Sequence, residues 1–474
     1  MKMRQRKDQK DLQLHFVGIG GIGMSGIAEV FLNQGFKISG SDLNESETTR
    51  RLTSLGVKFY LGHSDQNVQG ADVVVISSAV HSHNPEVLAA RAGRIPVIRR
   101  AEMLAELMRG KVGIAIAGTH GKTTTTSMLS VVLTAAGWDP TLVIGGKVDA
   151  LGGNAKLGKS QFVVAEADES DGSFLQLPAT YAVITNIDND HLDHYGSIEA
   201  IDRAFVDFVS NIPFYGLAAV CAEDPGIQRV LASFNKPLVT YGLSSSCDYY
   251  ASRIRNEGLI SRFEVSQRGA GILGEIELKI PGKHNVLNAL GVVAVSLGIG
   301  LDFEAVKRGI AQFHGVKRRF EIRWQSASGD RVIVDDYGHH PTEIAATLSA
   351  ARQYWPGRIK VVFQPHRYSR TLHCREGFKR AFDLADQVIL TDIYAAGEAP
   401  IDGVNSPALA AEIRSHARKE IKVQSCGDLS SAEDTLLSDF SPGDLILCMG
   451  AGSITRLPGH LISRLESTGG SCGT

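Results

Sequence analysis

Twice before Thr126 the chain passes from an apolar, strand-like run through a glycine cluster straight into a helical pattern. The first passage runs Leu12-Gln13-Leu14-His15-Phe16-Val17, then Gly18-Ile19-Gly20-Gly21-Ile22-Gly23, then a helical stretch reaching Gly35. The second runs Val112-Gly113-Ile114-Ala115-Ile116-Ala117, then Gly118-Thr119-His120-Gly121-Lys122-Thr123-Thr124. A helix is expected there from Lys122 to Ala136, stopped by Gly137. A strand that feeds a helix through a glycine turn is the unit from which parallel α/β sheets are wound. The fold class is therefore α/β.

Further β-branched runs extend this reading. Val73–Ile76 belongs with the first unit, and Phe162–Ala165 and Tyr181–Ile184 with the second. A third series comprises Arg331–Val334, Lys360–Phe363, Gln387–Leu390 and Asp444–Leu447. At 474 residues the chain is long enough for about three domains. Where each strand series restarts predicts boundaries at 1–109, 110–320 and 321–474: a Rossmann-like domain, a central P-loop ATPase-like parallel sheet and a second Rossmann-like domain.

Composition narrows the function. Lys plus Arg total 49 and Asp plus Glu 51, so a surface built mainly to hold nucleic acid or anionic lipid is not expected. The basic opening Met1–Lys7 is not followed by a long apolar run, and the apolar stretch Gly291–Leu301 is too short to span a bilayer. The six cysteines show no CxxC pair, which fits reduced thiols in the cytoplasm.

The glycine loops carry the chemistry. Gly18–Gly23 fits G-x-G-x-x-G, in which backbone N–H groups and a helix N-terminus receive a diphosphate. Asp42 stands where an acidic side chain could hold a ribose hydroxyl. Alone, this would read as a nicotinamide dinucleotide site or as a ligand-free turn. The second loop ends in Gly121-Lys122-Thr123, which offers an ammonium to the β- and γ-phosphates of ATP and a hydroxyl to Mg²⁺. Ile116 stands in place of the first P-loop glycine, and the loop is shorter than the full pattern. Two acidic strand ends follow, Glu166-Ala167-Asp168-Glu169-Ser170-Asp171 and Asn186–His194. Glu166 and His191 are the candidates there for Mg²⁺ ligation. Asp168, Asp171 and Asp193 read equally as caps or solvated carboxylates.

In order along the chain, GTHGKTTT at 118–125, EADESD at 166–171, NIDNDHLDHYG at 186–196, GKHNVLN at 282–288 and DDYGHHP at 335–341 resemble the Mur ligases of peptidoglycan synthesis. The opening GIGGIGMSG at 18–26 and His366-Arg367-Tyr368-Ser369-Arg370-Thr371 are most similar to the members that join L-alanine to UDP-N-acetylmuramate. The resemblance implies an ATP- and Mg²⁺-dependent amide ligase that serves cell-wall synthesis, cell shape and division. It implies small-molecule substrates, no nucleic acid, no membrane insertion, and a monomer or weak homodimer.

Residue by residue, the resemblance assigns Gly20, Gly21, Ile22, Gly23, Met24 and Asp42 to the UDP sugar, with His63, Ser77 and Ser78 nearby. It assigns Gly118, Thr119, His120, Gly121, Lys122, Thr123 and Thr124 to ATP, with His284, Asn285 and Asn288 on its nucleoside side. Arg319 is assigned to its phosphates, with Arg318 as a rival. Thr123, Glu166 and His191 are the implied metal ligands. Lys122, His191, His339, Arg367 and Arg370 are the implied catalytic groups, and His366 is a weaker candidate. Several relatives carry a carbamylated lysine downstream of the histidine matching His191. Here no lysine occurs between Lys159 and Lys236, and Val206 stands at about that distance. A ligase that adds a whole tripeptide to the same sugar nucleotide shares the second glycine loop and is the alternative reading.

Overall fold

The β-branched runs all become strands, and the strands sort into three sheets. The computed structural model describes residues 11–77, 79–148 and 153–469. The first sheet contains β1 (Gln13–Val17), β2 (Lys37–Asp42), β3 (Lys58–Leu61), β4 (Val73–Ile76) and β5 (Val97–Arg99), all parallel, in the order β3-β2-β1-β4-β5. The chain leaves β1 toward β2 on one side and returns to β4 on the other. The strand order therefore reverses between β1 and β4, and a crevice opens at their carboxyl ends. Gly18–Gly23 and Ser77 lie at those ends.

The second sheet is built around β6 (Val112–Ala117). Its further strands are β7 (Thr141–Val148), β8 (Gly153–Lys156), β9 (Phe162–Glu166), β10 (Ala179–Ile184), β11 (Leu217–Cys221) and β12 (Leu238–Gly242). They run in the order β12-β11-β10-β6-β9-β7-β8, and β8 is antiparallel to β7. β13 (Tyr249–Glu257) pairs with β12 through Tyr241–Tyr249 and Gly242–Tyr250, and β14 (Ile260–Gln267) and β15 (Gly271–Leu278) follow it. With β9 on one side of β6 and β10 on the other, the loop after β6 lies between the two acidic strand ends. The helix behind that loop is Lys122–Ala135, and Gly137 follows it at φ 80°.

The third sheet comprises β16 (Glu321–Gln325), β17 (Arg331–Asp336), β18 (Arg358–Phe363), β19 (Gln387–Thr391), β20 (Lys422–Gly427) and β21 (Asp444–Met449). Its order is β16-β17-β21-β18-β19-β20, and only β16 is antiparallel. Alternate residues face two cores. Val332, Val334, Val361 and Phe363 join one, and Ile333, Val362, Ile389 and Ile446 join the other. Burial on both faces is why these strands read as continuous apolar runs in the sequence.

The chain forms two compact units. One holds the residues up to 250 with 266–273 and 288–313, and the other holds 251–265, 274–287 and the residues from 314 on. Inside the first, helix Ile22–Asn33 of the first sheet lies on the β7–β8 edge of the second, and Asn154 Nδ2 donates to the Ile22 carbonyl at 2.8 Å. Among the described residues, no helix is long and apolar enough to cross a membrane.

The acidic segment after β9 is anchored by Phe174, which is fully buried. Its ring stacks on Phe208 at 5.0 Å and meets Phe205 edge-on at 5.3 Å, both from helix Ile198–Ser210. Phe174→Ala removes both ring contacts and leaves a cavity, so a loss of about 3–5 kcal/mol is expected in urea-denaturation midpoints.

Candidate active site

The loop after β6 is held by the end of β10. Gly118 has φ 129°, and a Cβ there would lie 2.0 Å from Thr185 Oγ1, so no other residue fits. Thr185 Oγ1 and Asn186 Nδ2 donate to the His120 carbonyl at 2.6 and 3.0 Å, and the His120 N–H donates to Asn186 Oδ1 at 2.8 Å. Thr119 Oγ1 accepts from the Asp188 N–H at 2.9 Å, and His120 Nε2 lies 2.8 Å from Asp188 Oδ2. Asn288 borders the loop on another side, with Oδ1 2.7 Å from where a Cβ on Gly121 would sit. The loop's shape is thus set before any ligand arrives. Thr124 faces inward and is buried.

Lys122 bends back over this loop. Its Nζ donates to the carbonyls of Gly118 (2.7 Å) and Thr119 (3.1 Å) and to both Glu169 oxygens, at 3.0 and 2.8 Å. Burial disfavours the ammonium, but Glu169, Asp168 and Glu166 outweigh it and hold the lysine above its ordinary value. Thr123 Oγ1 donates to Glu166 Oε2 at 3.2 Å, and Glu166 Oε1 accepts from the Gly145 N–H at 2.7 Å. A hydroxyl and a carboxylate fixed side by side beside this glycine loop suit a hard divalent cation, so Thr123 and Glu166 fit Mg²⁺.

His191 caps the short helix Leu192–Tyr195 from a left-handed conformation, φ 58°. Its Nε2 lies 3.6 Å from Asp190 Oδ2 and 3.8 Å from Glu169 Oε1. Burial pushes the Asp168 carboxyl up, but Lys122 and Arg100 overcome this and leave it below its ordinary value. Glu169 was not singled out from the sequence, although its carboxylate is the partner of Lys122 and its backbone carbonyl accepts from Tyr195 at 2.6 Å. Within a run of four acidic residues nothing but burial tells them apart, and Glu169 is the one that is buried.

At the first glycine loop, the Gly18 and Ile19 N–H groups donate to the Ser41 carbonyl, and the Gly20 N–H donates to Asp42 Oδ2 at 2.9 Å. Asp42 therefore braces the turn. Helix Ile22–Asn33 starts at Gly21 without a side-chain cap, which leaves its first N–H groups to a ligand. Gly23 is in its first turn and Ile22 is half exposed, whereas Met24 is buried and can offer only its backbone. Arg100 Nη2 reaches Asp168 Oδ2 at 3.2 Å, so a cation bridges the ends of the first two sheets. His63 lies beneath the crevice on Ser41. Ser77 is half-buried at the end of β4, and Ser78 lies outside the described residues.

The remaining candidates sit in the second unit. Asn285 Nδ2 donates to the Pro281 carbonyl at 2.6 Å. Burial and then Arg319 push His284 down to about 4. Arg318 and Arg319 both lie over the Tyr337 ring, at 4.9 and 5.0 Å. Their other contacts differ: Arg318 donates to the Gly450 carbonyl at 2.6 Å, while Arg319 pairs with Glu343 at 3.4 Å. His339 lies 5.2 Å edge-on from Tyr337 and 6.0 Å from His366, with Nδ1 3.5 Å from Glu343. Arg367 has φ 67°, and Nε is 3.8 Å from Glu398. Arg370 Nη1 donates to His366 Nδ1 at 3.3 Å, while the His366 ring stacks on Tyr394 at 5.5 Å.

Three family models cover most of the chain: "Mur ligase family, catalytic domain" over residues 13–112, "Mur ligase middle domain" over 116–296, and "Mur ligase, glutamate ligase domain" over 318–452. The chain belongs to the Mur ligase family. Among its relatives, the UDP-N-acetylmuramate–L-alanine ligase of Geotalea daltonii is 54% identical over 454 residues, 96% of this chain and 98% of the relative. The crystal structure of the UDP-N-acetylmuramate–alanine ligase from Thermotoga maritima matches with TM-score 0.81 and 32% identity, over 96% of this chain and all of that one. A murein peptide ligase from Psychrobacter arcticus shares the Mur ligase fold, with TM-score 0.72 at 24% identity over 96% and 98% of the two chains.

Burial, then Arg370 and Arg367, hold His366 down at about 4, against 6.5 for the free side chain. A base with a depressed folded value contributes stability above its unfolded pKa and loses it as pH falls, so the window runs from 6.5 toward 4. Between pH 7 and pH 5 this Mur ligase is expected to lose about 1–2 kcal/mol relative to its His366→Gln variant. Paired denaturant titrations at the two pH values measure this, and parallel pH dependence of wild type and variant would refute it.

Proposed function

We propose that the chain is an ATP-dependent carbon–nitrogen ligase that joins L-alanine to the carboxylate of UDP-N-acetylmuramate in the cytoplasm, with release of ADP and phosphate. Full-length likeness to alanine-adding relatives is the observation that carries this reading. The 118–124 loop supplies its chemistry.

A carboxylate is a poor electrophile toward an amine, so the muramate carboxylate must first be phosphorylated to an acyl phosphate. Lys122 is held protonated beside the loop carbonyls, where an ammonium can meet the β- and γ-phosphates of ATP. Thr123 and Glu166, with His191 as the third candidate, would hold Mg²⁺, which would neutralise charge on the transferred phosphoryl group. The amine of alanine must lose a proton before it attacks, and His191 and His339 are candidate acceptors. Collapse of the tetrahedral adduct then expels phosphate and leaves the amide.

We assign the UDP sugar to the first sheet's crevice and ATP to the β6 loop, with a division of labour along 1–109, 110–320 and 321–474. Arg367 and Arg370 are assigned to the amino acid or its acceptor carboxylate, because a guanidinium recognises a carboxylate in two-point fashion. The tripeptide-adding alternative has the weaker support, since the murein peptide ligase is 24% identical against 32% and 54% for the two alanine-adding ligases.

Phosphate release from ATP with Mg²⁺ and UDP-N-acetylmuramate tests the reading directly. It should require L-alanine, whereas release with the tripeptide alone moves the protein to the other branch. Arg370→Ala is expected to raise the KM for alanine about tenfold or more and to leave ATP affinity in place. Unchanged alanine kinetics would remove Arg370 from the site.

A further inference from the structure

Beneath the crevice of the first sheet lies a buried polar cluster that the reaction chemistry does not employ. Glu86, in the first turn of helix Pro85–Ala92, is 0% exposed. Its Oε2 accepts from Ser41 Oγ at 2.6 Å and lies 3.2 Å from His63 Nδ1. Its Oε1 accepts from Asn67 Nδ2 at 2.6 Å and lies 3.6 Å from His15 Nε2. Groups from β1, from β2 and from the segment after β3 thus converge on one carboxylate. Burial pushes that carboxyl up, but the contacts from His15, Ser41 and Asn67 outweigh it, so it sits below its ordinary value. A charge placed so deep is costly unless its partners are held to it.

The hydrogen-bond arithmetic fixes a proton on His63. Ser41 has one hydroxyl hydrogen, and the 2.6 Å contact gives it to Glu86, which as a carboxylate can only accept. His63 Nδ1 lies 3.0 Å from that hydroxyl oxygen and 3.2 Å from the same carboxylate oxygen, and only an Nδ1–H satisfies both. In the neutral ring, Nε2 is then a lone-pair acceptor. It has no hydrogen-bond partner among the described residues, and the side chain keeps 17% exposure.

We propose that Glu86 is a positioning residue for the uridine nucleotide: it holds His63 as the Nδ1–H tautomer, so that Nε2 accepts a hydrogen bond from a neutral donor on the ligand, a ribose hydroxyl or the uracil imide N–H. The inference rests on the placement of the UDP sugar in this crevice. A diphosphate oxygen is itself an acceptor and does not pair with that nitrogen, so His63 reads the nucleoside and leaves the phosphates to the glycine loop.

Calorimetric titration of the full chain with UDP tests this. His63→Ala should weaken UDP binding about tenfold, Glu86→Gln nearly as much, and the double variant no more than His63→Ala alone, because Glu86 acts through His63. Affinity for ATP should not move. Additive losses, or a Glu86→Gln variant with unchanged UDP affinity, overturn the proposal while leaving the site assignment intact. Unchanged UDP binding in His63→Ala overturns the proposal but not the site assignment, which the glycine loop carries independently. The 2′-deoxy, 3′-deoxy and N3-methyl analogues identify the donor, since the one His63 reads should bind wild type and His63→Ala alike. Full sensitivity to His63 with all three overturns the proposal. Should Glu86→Gln fail to fold, nitrogen NMR of ¹⁵N-histidine-labelled wild type decides the matter, with the His63 signal assigned by its loss in His63→Ala. A protonated Nδ1 with a bare Nε2 supports the proposal, and the opposite tautomer overturns it.

Discussion

One lysine among three carboxylates sets the character of the first unit. Lys122 is clamped by Glu169 and by two carbonyls of its own loop, and Glu166 and Asp168 add to its field. The surplus of acid over base at the ends of β6 and β9 makes that region a poor place for a polyphosphate alone and a good one for a polyphosphate bearing a divalent cation. The same surplus explains the reach of Arg100 to Asp168, which adds a second positive charge and ties the first sheet's last helix to the acidic segment. Shape in the glycine loop is therefore set by β10, and charge by β9.

The three sheets repeat one solution. Each places its chemically loaded loops at the carboxyl ends of parallel strands, where no side chain of the sheet needs the space and helix N-termini point outward. In the third sheet these loops carry Tyr337, His339, His366, Arg367 and Arg370. There the imidazole of His366 is kept neutral beside permanent cations, and Arg370, which can only donate, settles which of its nitrogens accepts.

The sequence made the parallel sheets legible where strands are buried on both faces. Val73–Ile76 and Val112–Ala117 match their expected spans, and β17, β18, β19 and β21 are only slightly longer than their apolar runs. It hid the strands that lack that pattern. β8 is Gly-Asn-Ala-Lys, and β13 and β14 alternate polar with apolar residues outside any glycine-loop context. Motif order located the loops. It did not distinguish Glu169 from its acidic neighbours or single out Glu86, because what marks both is the burial of a carboxylate, a property of the packed chain. Nor did it anticipate that the first two sheets share one compact unit, which rests on helix Ile22–Asn33 lying on β7 and β8.

His191 and Arg367 in the loaded loops, and Arg318 in the segment before β16, have positive φ although none is glycine. Each would be relaxed by a glycine, at a saving on the order of 1 kcal/mol. A directed-evolution campaign that rewards only heat tolerance or expression would therefore be drawn toward these positions and would erase their side chains. Local stability and the chemical endowment of these loops pull on the same codons in opposite directions. On the assignments proposed above, a drift toward glycine or asparagine there would mark a copy of this fold that has been released from its reaction.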